Sequence, residues 1–295
     1  MRNLVPPCVD EKLVYNNIEK NARNEDKKKR LTDLKQSIFL RYEHYNENVY
    51  NLEKLENSII LDDKDKKALH SCYNRNKHGY LEGKVVSQIL QIQSPQHKNK
   101  CPYCGMDKPR TIDHYIPKED FPEFSVFPPN LIPCCGYCNT KKNDRWLKDG
   151  ERIFLNLYYD ELPKDKKFLY SNIVLDEDEM NPVPIITFEL KNNTQIPTEL
   201  FSLIENHYSN LDLLNEFSLI VESEVSEVFD KIIHNTSMPI LEHQNTIKRD
   251  LDTLVRKYGI NHWNASFLES LLNCKEFFDR AYKHANKFKD NKKFM

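Results

Sequence analysis

The chain has 295 residues, 43 of them basic and 45 acidic, for a net charge of −2; 39% are hydrophobic and 30% charged. That length accommodates two domains, or one with an inserted module, and the composition suits a water-soluble protein. A membrane-spanning protein is excluded, because no apolar run approaches the ~20 residues that a span requires, and the opening MRNLVPPCVDEK does not read as a signal peptide.

Residues 1–97 read as an N-terminal helical region. No glycine precedes Gly79, and Leu31, Leu34, Ile38 and Tyr42 keep near-helical spacing. A second helix is expected to start at Asp62-Asp63, where acidic side chains suit a helix N-terminus, and to run through Leu69 before ending ahead of Gly79. The run Lys27-Lys28-Lys29-Arg30 reads first as a solvated helix face and second as a phosphate contact. His70, Arg75 and His78 read first as part of a surface turn and second as cleft residues. Ser94 to Lys100 reads as a linker.

The stretch that follows, residues 98–148, carries the chemistry: CPYCGMDKPRTIDHYIPKEDFPEFSVFPPNLIPCCGYCNTKKNDRW begins at Cys101. Two C-x-x-C pairs, Cys101/Cys104 and Cys135/Cys138, suit one tetrahedral Zn²⁺ with Zn–S bonds of ~2.3 Å. Cys134 is an alternative to Cys135, but the C-x-x-C spacing and Gly136 favour Cys135. Only six glycines occur in the chain. Two of them, Gly105 and Gly136, sit at these knuckles, where positive φ or backbone clearance is useful. Cys8, Cys72 and Cys274 are expected to be buried thiols with no chemical role. The thiols suit a reducing, cytoplasmic compartment.

Between the pairs, T-I-D-H-Y-I reads as a strand carrying Asp113 and His114, whose side chains should diverge unless the strand bends. Asn130 lies in N-L-I-P, and Asn139 opens a polar run expected to begin a helix. This strand–loop–strand–helix order, with D-H, N-L-I-P, C-x-x-C-N and N-x-x-K, resembles the HNH endonucleases. The resemblance implies a treble-clef-like ββα-metal module. It also implies that His114 is the general base, that Asp113 and Asn139 hold a catalytic Mg²⁺ or Mn²⁺, and that Asn130 orients His114. Lys118, Lys141, Lys142 and Arg145 surround the motif as candidate phosphate contacts. Lys142 ranks first, as the lysine of N-x-x-K. The competing reading is a catalytically silent zinc-binding module that contacts nucleic acid or protein.

Residues 149–295 form a third region. F-L-Y-S-N-I-V-L (168–175) and P-V-P-I-I-T-F-E-L read as an antiparallel hairpin across an acidic turn, Asp176 to Asn181. Helical stripes follow: Leu214, Phe217, Val221 and Val228; then Ile247, Leu251, Leu254 and Val255; then Phe267, Leu268, Leu271, Leu272, Phe278 and Tyr282. Net charge is +3 over residues 1–97, +3 over 98–148 and −8 over 149–295. The last region is therefore a better surface for a protein partner than for nucleic acid.

The expected fold is α+β and predominantly helical, with the zinc module between helical regions. The resemblance extends to free-standing bacterial HNH proteins, including effectors of anti-phage defence. It implies a phosphodiester-cleaving enzyme, with DNA ranked ahead of RNA or tRNA as substrate. The partner would be an ATPase encoded nearby or a second copy of the chain.

Overall fold

A computed structural model describes residues 3–74, 79–175 and 183–292, with side chains to residue 286. The chain is mostly helical with small antiparallel sheets, an α+β arrangement. It divides into two compact units, Arg2–Leu162 and Pro163–Met295. Arg75, His78 and the acidic turn at 176–181 lie outside the described residues.

The first unit opens with α1 (Glu11–Lys20) and α2 (Glu25–Glu47). Asp10 and Asn24 cap them, each side chain accepting a first-turn backbone N–H from Leu13 and Lys27 respectively. On α2, Leu31, Ile38, Tyr42 and Tyr45 are buried, while Leu34 is only half-buried. Helix α3 (Asp63–His70) is capped by Asp62, whose carboxylate accepts from the Lys64 and Asp65 N–H groups. A π-helical turn, Leu81–Val86, runs into α4 (Ser87–Gln91). The expected linker contains a short helix instead, α5 (Pro95–Asn99), because Ser94 caps it and Pro95 occupies its first turn.

Strands β1 (Thr111–His114) and β2 (Leu131–Cys134) pair antiparallel, with Asp113 opposite Ile132 and His114 opposite Leu131. Helix α6 (Gly136–Lys142) follows, and it starts three residues before Asn139 because Cys135 serves as its N-cap. Next comes a tight hairpin of β3 (Leu147–Lys148) and β4 (Glu151–Arg152). Its turn is Asp149-Gly150, both at positive φ, the conformation a two-residue hairpin turn needs.

Long-range contacts join the first two expected regions. Tyr42 stacks on Phe127 at 4.2 Å, and Tyr45 donates to the Pro129 carbonyl. Arg41 and Glu123 form a buried ion pair at 3.0 Å, which Ser58 Oγ completes at 2.6 Å. Helix α2 therefore floors the loop between β1 and β2. The unit also reaches past residue 148. Tyr115 donates to the Phe154 carbonyl, Tyr158 donates to the Leu131 carbonyl, and Asn3 ties down residues 157–162. The compact boundary consequently falls after Leu162.

In the second unit, β5 (Leu169–Val174) pairs antiparallel with β6 (Ile185–Leu190). Helices α7 (Thr198–Asn210), α8 (Leu213–Ile233), α9 (Ile240–Tyr258), α10 (Trp263–Asn273) and α11 (Lys275–Lys292) follow. Ile186 and Phe188 alternate inward, and Phe188 meets Phe217 of α8 at 5.6 Å. The α8 stripe is Leu213, Phe217, Val221, Val225, Phe229 and Ile232, so Leu214 and Val228 lie beside the core rather than in it. The third expected stripe is divided between α10 and α11 at Cys274. Of the isolated cysteines only Cys72 is buried; Cys8, in the coil before α1, is exposed, and Cys274, the C-cap of α10, is half-buried. Among the described residues no helix is long and apolar enough to cross a membrane.

Candidate metal centre and active site

The four sulfurs of Cys101, Cys104, Cys135 and Cys138 all lie within 4.8 Å of one another, and all four residues are buried. Zn–S bonds of ~2.3 Å in a tetrahedron require S···S edges of about 3.8 Å. The Cys104–Cys135 separation is 3.8 Å. Backbone N–H groups already point at the sulfurs: Cys135 N to Cys101 Sγ at 3.3 Å and Met106 N to Cys104 Sγ at 3.4 Å. The cluster thus fits a Zn²⁺ ion. Gly105 takes φ 72°, as the first knuckle requires. Gly136 is the first residue of α6 and sits in open space, so nothing there demands glycine. Cys134 stands apart, its thiol against Thr111 Oγ1 at 3.3 Å, because strand alternation turns it away from the other four.

A cavity of about 590 Å³ opens beside β1 and α6. Asp113, His114, Lys118 and Asn139 line it, together with Tyr73, Thr140, Asn143 and Asp144. His114 is 9% exposed. Its Nε2 lies 2.9 Å from the Ser125 carbonyl, which can only accept, so Nε2 carries the proton and Nδ1 is the lone-pair nitrogen. Burial pushes the ring's pKa from 6.5 down to about 4. Tyr73, from outside the cysteine module, packs edge-on to the ring at 4.3 Å.

Asp113, the preceding residue of β1, also borders the cavity. It is 3% exposed. Its Oδ2 accepts from Tyr103 at 2.8 Å and its Oδ1 from Lys142 Nζ at 3.1 Å. Burial pushes the carboxyl pKa up, against the pull of the Lys142 ammonium. The Asn130 side chain hydrogen-bonds the loop and not the His114 ring. Its amide accepts from Ile116 N at 2.8 Å and donates to the Ile116 carbonyl at 2.9 Å and the Phe124 carbonyl at 3.4 Å. It pins the loop that delivers the Ser125 carbonyl, and so reaches the imidazole at one remove. Asn139, in the first turns of α6, is half-buried at the cavity wall.

The basic residues divide. Lys142 is fully buried, donating to Asp113 and, at 2.9 Å, to the His114 carbonyl. It is no surface phosphate contact, because the α6 face that carries it packs on β1. Lys118 is half-buried at the cavity, beside Glu119. Lys141 and Arg145 are exposed, over the Tyr137 and Phe154 rings respectively. Arg30 of the basic run is engaged by Asp26, Asp62 and Asp65. His70 bonds the Lys118 carbonyl at 2.7 Å, supporting the loop after β1.

Sequence reasoning missed Tyr73, Tyr103, Ser125 and Asp144. Tyr103 lies inside the first knuckle and Asp144 two residues after N-x-x-K, so local inspection could have flagged both. Tyr73 and the Ser125 carbonyl carry no sequence signal.

Residues 101–145 match the HNH endonuclease family model. Protein ea31 of Escherichia phage lambda is 27% identical over 237 residues, 75% of this chain and 77% of that protein. Septu protein PtuB of Bacillus thuringiensis is 26% identical over 155 residues, 50% of this chain and 59% of that protein. No solved structure matches. Residues 101–145 are thus an HNH endonuclease domain with four cysteines in a knuckle-like arrangement, set in a chain distantly related to PtuB.

Proposed function

We propose that this chain is a metal-dependent endonuclease that hydrolyses phosphodiester bonds in DNA, with His114 as general base. The observation that carries the reading is the tautomer of His114: a buried, neutral ring with Nε2–H tied to the Ser125 carbonyl and a lone pair left on Nδ1. Nδ1 takes the proton of the attacking water, and the imidazolium that forms keeps its hydrogen bond to Ser125. Tyr73 restricts the ring's rotation, and Asn130 holds the loop that carries the acceptor. Oxygen donors dominate the cavity, a donor set that suits a hard divalent cation. Asp113 and Asn139 are the residues assigned to hold Mg²⁺ or Mn²⁺. When bound, that ion would neutralise charge on the phosphate and on the leaving oxygen. Lys118, Lys141 and Arg145 supply phosphate attraction without reading sequence.

The similarity to a Septu protein supports a role as nuclease effector in anti-phage defence, working in the cytoplasm with a protein partner such as an ATPase encoded nearby. The longer match, to a phage protein, shows that residues beyond the HNH domain are shared as well. Incubation of the purified protein with plasmid, linear DNA and tRNA in Mg²⁺ or Mn²⁺ tests the enzyme. DNA should be cut, and His114→Ala should lower the rate by roughly 10²–10⁴-fold. A His114→Ala variant that cuts as fast as the parent, or a zinc-loaded parent that cuts none of the three, overturns the reading. Cleavage of tRNA alone moves the substrate to RNA.

A further inference from the structure

The cavity holds a second carboxylate, and its circumstances are the opposite of Asp113's. Asp113 is enclosed, with one oxygen on a phenol and the other on an ammonium, so Lys142 balances much of its charge. Asp144 is exposed on the cavity wall that His114 and Asn139 share. Its carboxylate has no hydrogen-bond or ion-pair partner among the described residues.

The chain takes some trouble to put it there. Lys142 ends α6 and is anchored at both Asp113 and the His114 carbonyl, which fixes the helix end against β1. Asn143 then adopts φ 48° and ψ −135°, a region disfavoured for any residue but glycine. Arg145 N closes the turn on the Lys142 carbonyl at 3.1 Å. Helical continuation would have carried residue 144 along the α6 axis. The backbone instead reverses at Asn143, and Asp144 lies on the cavity lining.

We propose that Asp144 is an additional carboxylate ligand of the divalent cation in this cavity, acting beside Asn139 and Asp113 and supplying the negative charge that Lys142 balances on Asp113. The proposal rests on the endonuclease reading above. Its physical ground is charge. A hard dication that keeps several waters is usually held by one or two carboxylates. Asn139 offers a neutral oxygen, and the negative charge of Asp113 is already paired. Asp144 is the unpaired acidic group on the same wall.

Binding of Mn²⁺ to the full-length, zinc-loaded protein, followed by electron paramagnetic resonance of the free ion, separates the two carboxylates. Asp144→Asn should weaken Mn²⁺ binding by roughly 10-fold or more. Asp144→Glu should retain binding, and zinc content and thermal midpoint should stay at parental values in both. Asp144→Asn that binds Mn²⁺ as tightly as a parent active on DNA overturns the proposal and leaves the nuclease reading standing. A parent that neither binds Mn²⁺ nor cuts nucleic acid removes both. Loss of Mn²⁺ binding together with zinc or folding would show Asp144 to be structural, and would also overturn it.

Discussion

The cysteine cluster and the His114 cavity share one short scaffold, β1, β2 and α6, yet they are built on opposite rules. The cluster is closed: four buried sulfurs with backbone N–H groups aimed at them. The cavity is open, with nitrogen and oxygen donors spread over its wall and carboxylates in unequal states. A closed site holds structure, and an open one leaves coordination positions for water and substrate. Helix α6 links them, since Cys135 and Cys138 lie at its start and Asn139 to Lys142 at its end. The cluster therefore sets the angle at which the helix presents the cavity's residues.

The largest effect should come from breaking the closed site. Cys104→Ser, or chelation of the zinc, removes a binding free energy of order 10 kcal/mol that is also folding free energy. The variant should lose zinc, become protease-sensitive across residues 101–145, and lose cleavage together with its fold. Zinc-free protein with an unchanged thermal midpoint would show the cluster to be dispensable.

Next is the buried ion pair beneath the cavity. Lys142→Met removes an ammonium that is 0% exposed and leaves the Asp113 carboxylate unpaired. Truncating one partner of such a pair costs about 3–5 kcal/mol, which denaturant unfolding would register. Adding Asp113→Asn should recover part of the loss, because neighbouring substitutions couple. A change within about 0.5 kcal/mol would instead fit a surface lysine and restore Lys142 as a phosphate contact.

How much of this was legible in the sequence follows from how local each feature is. The four-cysteine cluster was legible because the knuckles are four-residue units whose geometry depends on their own spacing. The hairpin of β5 and β6 was legible from its alternation and composition. The D-H dipeptide, Asn130 and Asn139 were legible as a motif, but only as names. That Asn130 bonds Ile116 and Phe124 depends on how the segment between β1 and β2 folds back on itself, and that Lys142 turns inward depends on how α6 seats on β1. Tyr73 stands 41 positions before His114, in a helical region that offers no hint of meeting it. The extent of the first compact unit, which runs to Leu162, was not legible for the same reason, since the bonds of Tyr115 and Tyr158 that carry it past residue 148 are long-range.

A smaller effect concerns pH. The folded pKa of His114 is about 4, below its ordinary 6.5, because burial disfavours the charged ring. As pH falls, the unfolded chain takes up the proton first. The stability is therefore fully present above about pH 6.5 and is lost towards pH 4, by about 3 kcal/mol at most. Subtracting the pH–stability curve of His114→Gln from that of the parent cancels the acid lability of the zinc site. The difference should slope through that window, and a flat difference would mean the ring is charged or solvated when folded.

The smallest expected effect probes the turn that returns Asp144 to the cavity. Asn143 at φ 48° and ψ −135° carries strain of order 1–3 kcal/mol for a residue with a Cβ. Glycine adopts this region without that strain, but it loses about 0.5–1 kcal/mol more chain entropy on folding. Asn143→Gly should therefore stabilise the protein by roughly 1 kcal/mol, a rise of about 2–4 °C in the thermal midpoint for a unit of this size. The sign separates two roles for the residue. Stabilisation with Mn²⁺ binding intact means that Asn143 serves only to bend the chain, at an avoidable strain. Stabilisation with weakened Mn²⁺ binding means that its amide, which also lines the cavity, is used by the ion or the substrate. Asn143→Ala keeps the Cβ and gains nothing at positive φ, so it should be no more stable than the parent. An alanine variant as stable as the glycine one would show that the strain assigned to this turn is not there.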